Sequence, residues 1–483
     1  GISAVAFIKG DTNNIFRMGW YSFPSFHSWL QSIPIRIIGQ TTPALRLSSV
    51  LAGSLTVGAL YLVARALMGP RAGLYAAIFL SAHHFHHNFS RIGLNNIWDG
   101  LWYVVVLGAL WVGWQREKRW AFILSGLALG FAQFFYVSAR LLIPLVIVWL
   151  LISGFSDRPR FKRLWPDLVW LAGAALVVVM PLAGYYAAHP DEYFAPMVRV
   201  SIMNDWLLRE AQTVGKPGWL ILLQQVGLSF LALVHTPLRH WYTPGVPLLR
   251  IPSAILFLLG LGTAFLKPRD SRFHLLGLWI LAICIPGGLS ESVPAAQRYV
   301  ALAPALALLV GYGLDHTAQQ IGQLWPRFQK YIHGLAFLAI LVIGLGELQF
   351  YYFEYTPSSE FGGANSLVAQ NLADTLAEKP NQVEVLFWGA PRMGYYSIPS
   401  LQYLVPEIKG LDMTHPWGSA QNPQPTSDEL IFVLLPDHEG ELAAIQADFP
   451  VGSLVQEFDR NGHTLYWLYE VTPEVQSSTQ TEP

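Results

Sequence analysis

Residues 81–100, "SAHHFHHNFSRIGLNNIWDG", place four histidines, an arginine, asparagines and an aspartate between two apolar runs. His83, His86 and His87 follow i, i+3, i+4 spacing and share one face if the preceding helix extends that far. Such a face can hold a metal, offer donors to a phosphate, or meet lipid headgroups. Arg91 follows one residue past the apolar run. Near a membrane it either snorkels to the surface or grips a phosphate with its planar fork. Asn95, Asn96 and Asp99 open the next apolar run. Their structural reading is an N-cap and a first-turn acid that complements the helix dipole. Their functional reading is a set of polar atoms facing a cavity. Arg298, in "ESVPAAQRYVALAP", precedes another apolar run, with Glu291 nearby. Arg91 and Arg298 on one side of a membrane would converge on a single anionic headgroup.

The elements that position these groups are membrane helices. The chain is 53% hydrophobic and 13% charged, with mean hydropathy +0.37. A soluble domain carries roughly 25% charged residues. Ten apolar segments before residue 351 qualify as spans, at 47–67, 72–88, 97–115, 119–137, 140–156, 165–186, 252–267, 272–289, 299–315 and 331–350. Basic residues cluster at 65–71, 115–119, 156–163, 267–272 and 326–330. With those loops cytoplasmic, the loops at 81–96, 137–140, 187–251 and 289–298 face outward. The segments 24–39 and 218–235 then read as surface or re-entrant helices on the outer side. A net charge of −1 and the lack of any nucleic-acid signature leave no nucleic-acid partner. The single Cys284 excludes an intramolecular disulfide and a cysteine zinc cluster, and reads as a small core residue.

From residue 351 the pattern changes. "NSLVAQNLADTLAEK" and "GELAAIQADF" read as helices, and "VEVLFWG" and "ELIFVLLP" as buried strands. "GSLVQEFDRNGHTLYWLYEV" reads as a hairpin turning at Asn461-Gly462. The expected organisation is a transmembrane domain over 1–350, an exoplasmic α/β domain over 351–472 and a disordered tail over 473–483.

The order of features resembles the GT-C superfamily of membrane glycosyltransferases. The surface segment "PSFHSWLQSIPIRIIG" is followed by Leu45-Arg46-Leu47, "LTVGALYLVARALMGPRAGL" (55–74) and "SRIGLNN" (90–96), with "QRYVALAPALALLVG" (297–311) later. The branch it is most similar to is the protein mannosyltransferase-like enzymes, which include the lipid A aminoarabinose transferases. The resemblance covers roughly residues 1–350. It implies a mainly α, polytopic helical bundle with outer-face surface helices, beside the small C-terminal α/β domain. It also implies transfer of a hexosyl or pentosyl group from a polyprenyl-phosphate donor to a lipid, glycan or protein acceptor on the exoplasmic face, in a prokaryotic plasma membrane. His86, Arg91 and Arg298 would then meet the donor phosphate. The family's catalytic acid pair follows its first span, and "GISAVAFIKGDTNNIFRMGWYSFP" resembles the stretch just after such a motif, so the pair is expected upstream of Gly1. Within this chain Asp11, Asn96 and Asp99 are the candidates for acceptor activation, with Asp11 otherwise a turn residue. Relatives often carry an aspartate where this sequence has Asn96, and Asp99 would compensate for the lost charge. No metal ligand is assigned, although a divalent metal remains a candidate cofactor.

Two other classes compete. A non-catalytic subunit of a membrane protein complex would keep the fold and gain protein partners. A transporter would need ionisable residues deep in its spans, and only Asp167, near a span end, approaches that. The sequon "NFS" (88–90) lies too close to the membrane to serve as a glycosylation site.

Overall fold

The computed structural model describes residues 1–203, 205–358, 363–379, 383–423, 425, 427 and 429–471. The expected tail at 473–483 lies outside the described residues. The chain divides into a helical unit of Ser3–Gly39 and Pro43–Pro357 and a second unit formed chiefly from Ser358 onward.

The helical unit opens with α1 (Ile2–Lys9) and α2 (Phe26–Ile38). The bundle continues with α3 (Thr42–Met68), α4 (Pro70–Ala82), α5 (His84–Phe89), α6 (Ile97–Arg116), α7 (Arg119–Ala132), α8 (Leu142–Ser156) and α9 (Arg158–Ala188). A long connection carries α10 (Pro190–Val200), α11 (Asp205–Val214) and α12 (Gly218–Leu231), and α13 (Ile251–Phe265), α14 (Ser271–Gly288), α15 (Ala303–Leu324) and α16 (Gln329–Gln349) complete the bundle. Among the described residues, seven helices are long and apolar enough to cross a membrane. They match seven of the ten expected segments. The other three are the shorter helices α4, α7 and α13, of 13, 14 and 15 residues. The segments at 24–39 and 218–235 form α2 and α12.

The bundle packs around α15, which is buried from Ala303 to Asp315. Small residues let its neighbours approach closely. A Cβ at Gly311 would fall 2.5 Å from the Ala72 carbonyl oxygen of α4, and one at Gly313 would fall 2.0 Å from that of Leu256 in α13. Cys284 is buried in this core. Leu, Val and Trp side chains on α9 and α16 face outward, as lipid-facing residues do. The basic clusters at 115–119 and 156–163 are charge-paired. Arg119 contacts Asp167 at 2.6 Å and Arg163 contacts Glu117 at 2.9 Å, so Asp167, near the start of α9, is paired with the first residue of α7.

The second unit is a five-stranded mixed sheet in the order β2-β1-β3-β5-β4. Its strands are β1 (Glu384–Trp388), β2 (Lys409–Asp412), β3 (Leu430–Leu434), β4 (Gly452–Phe458) and β5 (Thr464–Val471). β1 runs parallel to both neighbours, and β5 runs antiparallel to β3 and β4. Every residue of β1 and β3 is buried, as their unbroken apolar runs require. The hairpin connection is longer than an Asn-Gly turn. The Asp459 carboxylate accepts the N–H groups of Asn461 and His463, both at 2.8 Å, and Gly462 takes the left-handed conformation at φ 82°.

Candidate functional site

The loop "SRIGLNN" is held from three directions. Gly93 has φ +72° and turns the chain, and its carbonyl accepts Nε2 of Gln31 in α2 at 2.8 Å. His27 of α2 lies 3.4 Å from the same carbonyl, and burial holds its pKa down to about 4. The Ser49 hydroxyl donates to the Leu94 carbonyl at 3.1 Å, and Asn95 Nδ2 donates to that of Phe135 at 3.1 Å. The amphipathic helix α2 is also held against the end of α7 by aromatic contacts of Phe26 with Phe131, Phe134 and Phe135.

This scaffold presents Asn96 to a cavity of about 480 Å³. The wall is drawn from residues 21–23, 94–96, 136–141, 196–203, 241 and 283–298. Loops expected on one side of the membrane therefore meet around one space. The wall is mostly apolar but carries Arg140, Arg199 and Arg298, and no Asp or Glu is among its described residues. Arg298 donates from Nη1 to the Ser290 hydroxyl and the Glu291 carbonyl. Burial draws its pKa below the ordinary guanidinium value, with Tyr136 opposing the shift. Tyr136 itself is pushed up to about 12 by burial. Arg140 donates to the Tyr193 carbonyl and, at 3.0 Å, to the Tyr186 hydroxyl, with its guanidinium 4.1 Å from the Tyr193 ring centre. Arg199 donates to the Tyr21 carbonyl at 3.2 Å and covers the Tyr21 ring. The chemistry on offer is anion binding against an apolar surface.

The six candidates from the sequence fall in different places. Asn96 and Arg298 line the cavity together. Asn96 occupies the N-cap position of α6 but makes no side-chain cap bond, and instead its Nδ2 donates to the Gln297 carbonyl at 3.3 Å. The side-chain oxygens of Asn96 and Gln297 have no hydrogen-bond partner. Asp99 is fully buried behind the wall and accepts the hydroxyl of Ser138, which does line the cavity. Asp11 is exposed at the end of α1, with its N–H bonded to the Ala6 carbonyl, away from the cavity wall. Arg91 lies over the rings of Tyr351 and Tyr352, and His86 bonds the Gly53 carbonyl at 3.2 Å. Neither lines the cavity.

His83, His86 and His87 do not form one face. His83 has extended backbone (φ −57°, ψ 117°), so the helical period restarts at His84. His87 turns to the Tyr352 hydroxyl at 2.7 Å. Sequence reasoning missed Arg140 and Arg199. "YVSARLL" is a single arginine in a short outer loop, the same signal that singled out Arg298. Arg199 lies in a long polar connection where one more arginine carries no signal.

Residues 22–186 match the family model of dolichyl-phosphate-mannose-protein mannosyltransferases. No curated protein sequence matches the chain. ArnT from Cupriavidus metallidurans bound to undecaprenyl phosphate shares the fold with TM-score 0.59 at 16% identity, over 98% of this chain and 92% of that one. Its apo state gives 0.55 at the same identity and coverage. The oligosaccharyltransferase of Archaeoglobus fulgidus tethered with an acceptor peptide gives 0.48 at 14% identity, over 82% of this chain and 57% of that one. The fold is of GT-C type, as the sequence resemblance implies.

Proposed function

We propose that this integral membrane protein of GT-C type moves a hexosyl or pentosyl group from a polyprenyl-phosphate donor to a lipid, glycan or protein acceptor outside the cytoplasm, in a prokaryotic plasma membrane. One observation carries the reading: an apolar cavity whose charged wall residues are three arginines. An isoprenoid chain needs apolar surface, and its phosphate needs cations in a dry setting. A solved structure of the same fold, ArnT, is bound to undecaprenyl phosphate.

In this reading Arg298 holds the phosphate, and Arg140 and Arg199 complete a positive wall. As the acceptor oxygen bonds the anomeric carbon, the bond from that carbon to the phosphate oxygen breaks. The growing negative charge falls on the phosphate, where fixed cations stabilise it. The amides of Asn96 and Gln297 supply acceptors for sugar hydroxyls when turned inward. The acceptor's hydroxyl proton passes by way of the Ser138 hydroxyl at the wall to the Asp99 carboxylate bonded to it. The C-terminal unit lies outside the cytoplasm.

The test is transfer from a panel of polyprenyl-phosphate sugars by the purified protein, with lipid extracted from the same sample. Copurified polyprenyl phosphate, and transfer that Arg298→Ala abolishes in a folded protein, support the reading. Wild-type transfer in that variant sinks it. The described wall has no carboxylate, and this favours a second reading, a non-catalytic subunit of the same fold. Partner proteins that copurify in fixed ratio, with no donor lipid bound, would establish that alternative.

A further inference from the structure

His83, His84 and Glu347 offer ligand atoms that all lie within 4.8 Å of one another, and all three side chains are buried. His83 Nε2 is 2.7 Å from the Leu248 carbonyl oxygen. A carbonyl only accepts, so Nε2 carries the proton and Nδ1 keeps a lone pair. That Nδ1 has no hydrogen-bond partner. His84 Nδ1 is 2.7 Å from the Tyr242 hydroxyl, and its Nε2 also lacks a hydrogen-bond partner. Glu347 Oε2 accepts the His84 backbone N–H at 3.3 Å but stands 3.8 Å from His84 Nε2. That separation is beyond hydrogen-bond reach. Each histidine thus keeps one buried ring nitrogen without a hydrogen-bond partner, in a cluster that also holds the Glu347 carboxylate, which is costly.

We propose that a ring nitrogen of His83, a ring nitrogen of His84 and a Glu347 carboxylate oxygen bind a divalent cation of zinc type. Imidazole nitrogen and carboxylate oxygen are ordinary zinc ligands. A ligating histidine characteristically gives its other ring N–H to a carbonyl or similar acceptor. Leu248 and Tyr242 hold those two positions here. Zinc bonds of ~2.0–2.1 Å place tetrahedral ligands roughly 3.4 Å apart, so filling the site draws the group inward, with water as fourth ligand. Arg250 is the other charged group nearby, and it is committed to the Gly346 carbonyl at 2.8 Å and the Phe350 ring. Burial denies substrate access, so the ion serves as a clamp. It joins the break between α4 and α5 to α16, and through Tyr242 and Leu248 to the connection before α13. That clamp braces α5, which leads into the loop that brings Leu94, Asn95 and Asn96 to the cavity wall.

The test uses the full chain in detergent with any affinity tag removed. The protein is stripped with a chelator and dialysed, then titrated with Zn²⁺ and separately with Co²⁺. Metal is counted by elemental mass spectrometry. The expected result is one tight equivalent, a visible cobalt spectrum of tetrahedral type, and a melting temperature that falls on stripping and returns with zinc. Glu347→Gln keeps the side-chain shape and the acceptor for the His84 N–H, and should lose the tight equivalent and the cobalt bands. The chain has 14 histidines, so retention of the tight equivalent in Glu347→Gln would assign it elsewhere and overturn the proposal. Absence of stoichiometric binding by the stripped wild type, or a melting temperature indifferent to zinc, would do the same. If Glu347→Gln fails to fold, His83→Gln, which keeps a side-chain N–H for the Leu248 carbonyl, carries the same assignment: it should lose the tight equivalent, and keeping it would overturn the proposal.

Discussion

Arg298→Ala is the perturbation with the most to say about the cavity. Among the described residues, only Nη1 of this guanidinium is spent on side-chain bonds to the protein, to Ser290 and Glu291. Nε and Nη2 remain for a ligand, a fork suited to two oxygens of one phosphate. A hydrogen bond to a charged group contributes roughly 1.5–3 kcal/mol net. At about 1.4 kcal/mol per decade, losing one such bond weakens donor affinity roughly 10- to 150-fold. Losing both would exceed that range, less whatever Arg140 and Arg199 recover. Arg298→Lys keeps the charge and loses the fork, so it should fall between wild type and Ala. The assay is competition against a fluorescent polyprenyl phosphate in nanodiscs, with thermal melting as the fold control. The bonds to Ser290 and Glu291 also brace the loop, so a modest loss of stability is expected as well. If folded Arg298→Ala binds polyprenyl phosphate as wild type does, the phosphate is held elsewhere and the assignment of the cavity fails.

Three further outcomes follow from the geometry. Arg91→Ala should lose about 0.5–2 kcal/mol of stability with its two tyrosine contacts, while donor affinity stays within about twofold. Competitive binding and a melt on one sample separate the two effects. Ser138→Ala removes the donor bonded to buried Asp99, a loss of about 1–3 kcal/mol that Asp99→Leu in the same chain should recover only in part, because the backbone groups of Tyr136 and Ala139 that also bond the carboxylate then lose their acceptor. Double-mutant melting curves check this, and transfer by the doubly substituted protein reports whether Asp99 serves the chemistry or only the fold. Gly313→Val would press a side chain into the Leu256 carbonyl, 2.0 Å from the position of a Cβ. Helices α13 and α15 must part, at about 1–3 kcal/mol or more, visible as a lower melting temperature.

The parts of this molecule that were legible in the sequence are those where one physical rule dominates. Long apolar runs became helices, because a bilayer leaves the backbone few other ways to satisfy its own polar groups. β1 and β3 were legible for a related reason, as short unbroken apolar runs beside turn residues. β2, "KGLD", was not, since a short and charged edge strand resembles a loop. Helical periodicity misled at the histidines, where the break at His83 reset the register and exchanged His86 and His87 for His84. No spacing rule could have added Glu347, which approaches from α16, more than 250 residues later. Asn96 shows the same limit from another side. Local rules favour capping, yet its amide turns to Gln297, a partner supplied by a distant loop. Capping is available to any asparagine at that position, so the choice against it reflects how firmly α2, Gly93 and Asn95 fix the loop. A wall fixed this firmly holds its donors in place before a ligand arrives, the condition under which a cationic cavity stabilises a departing phosphate most effectively.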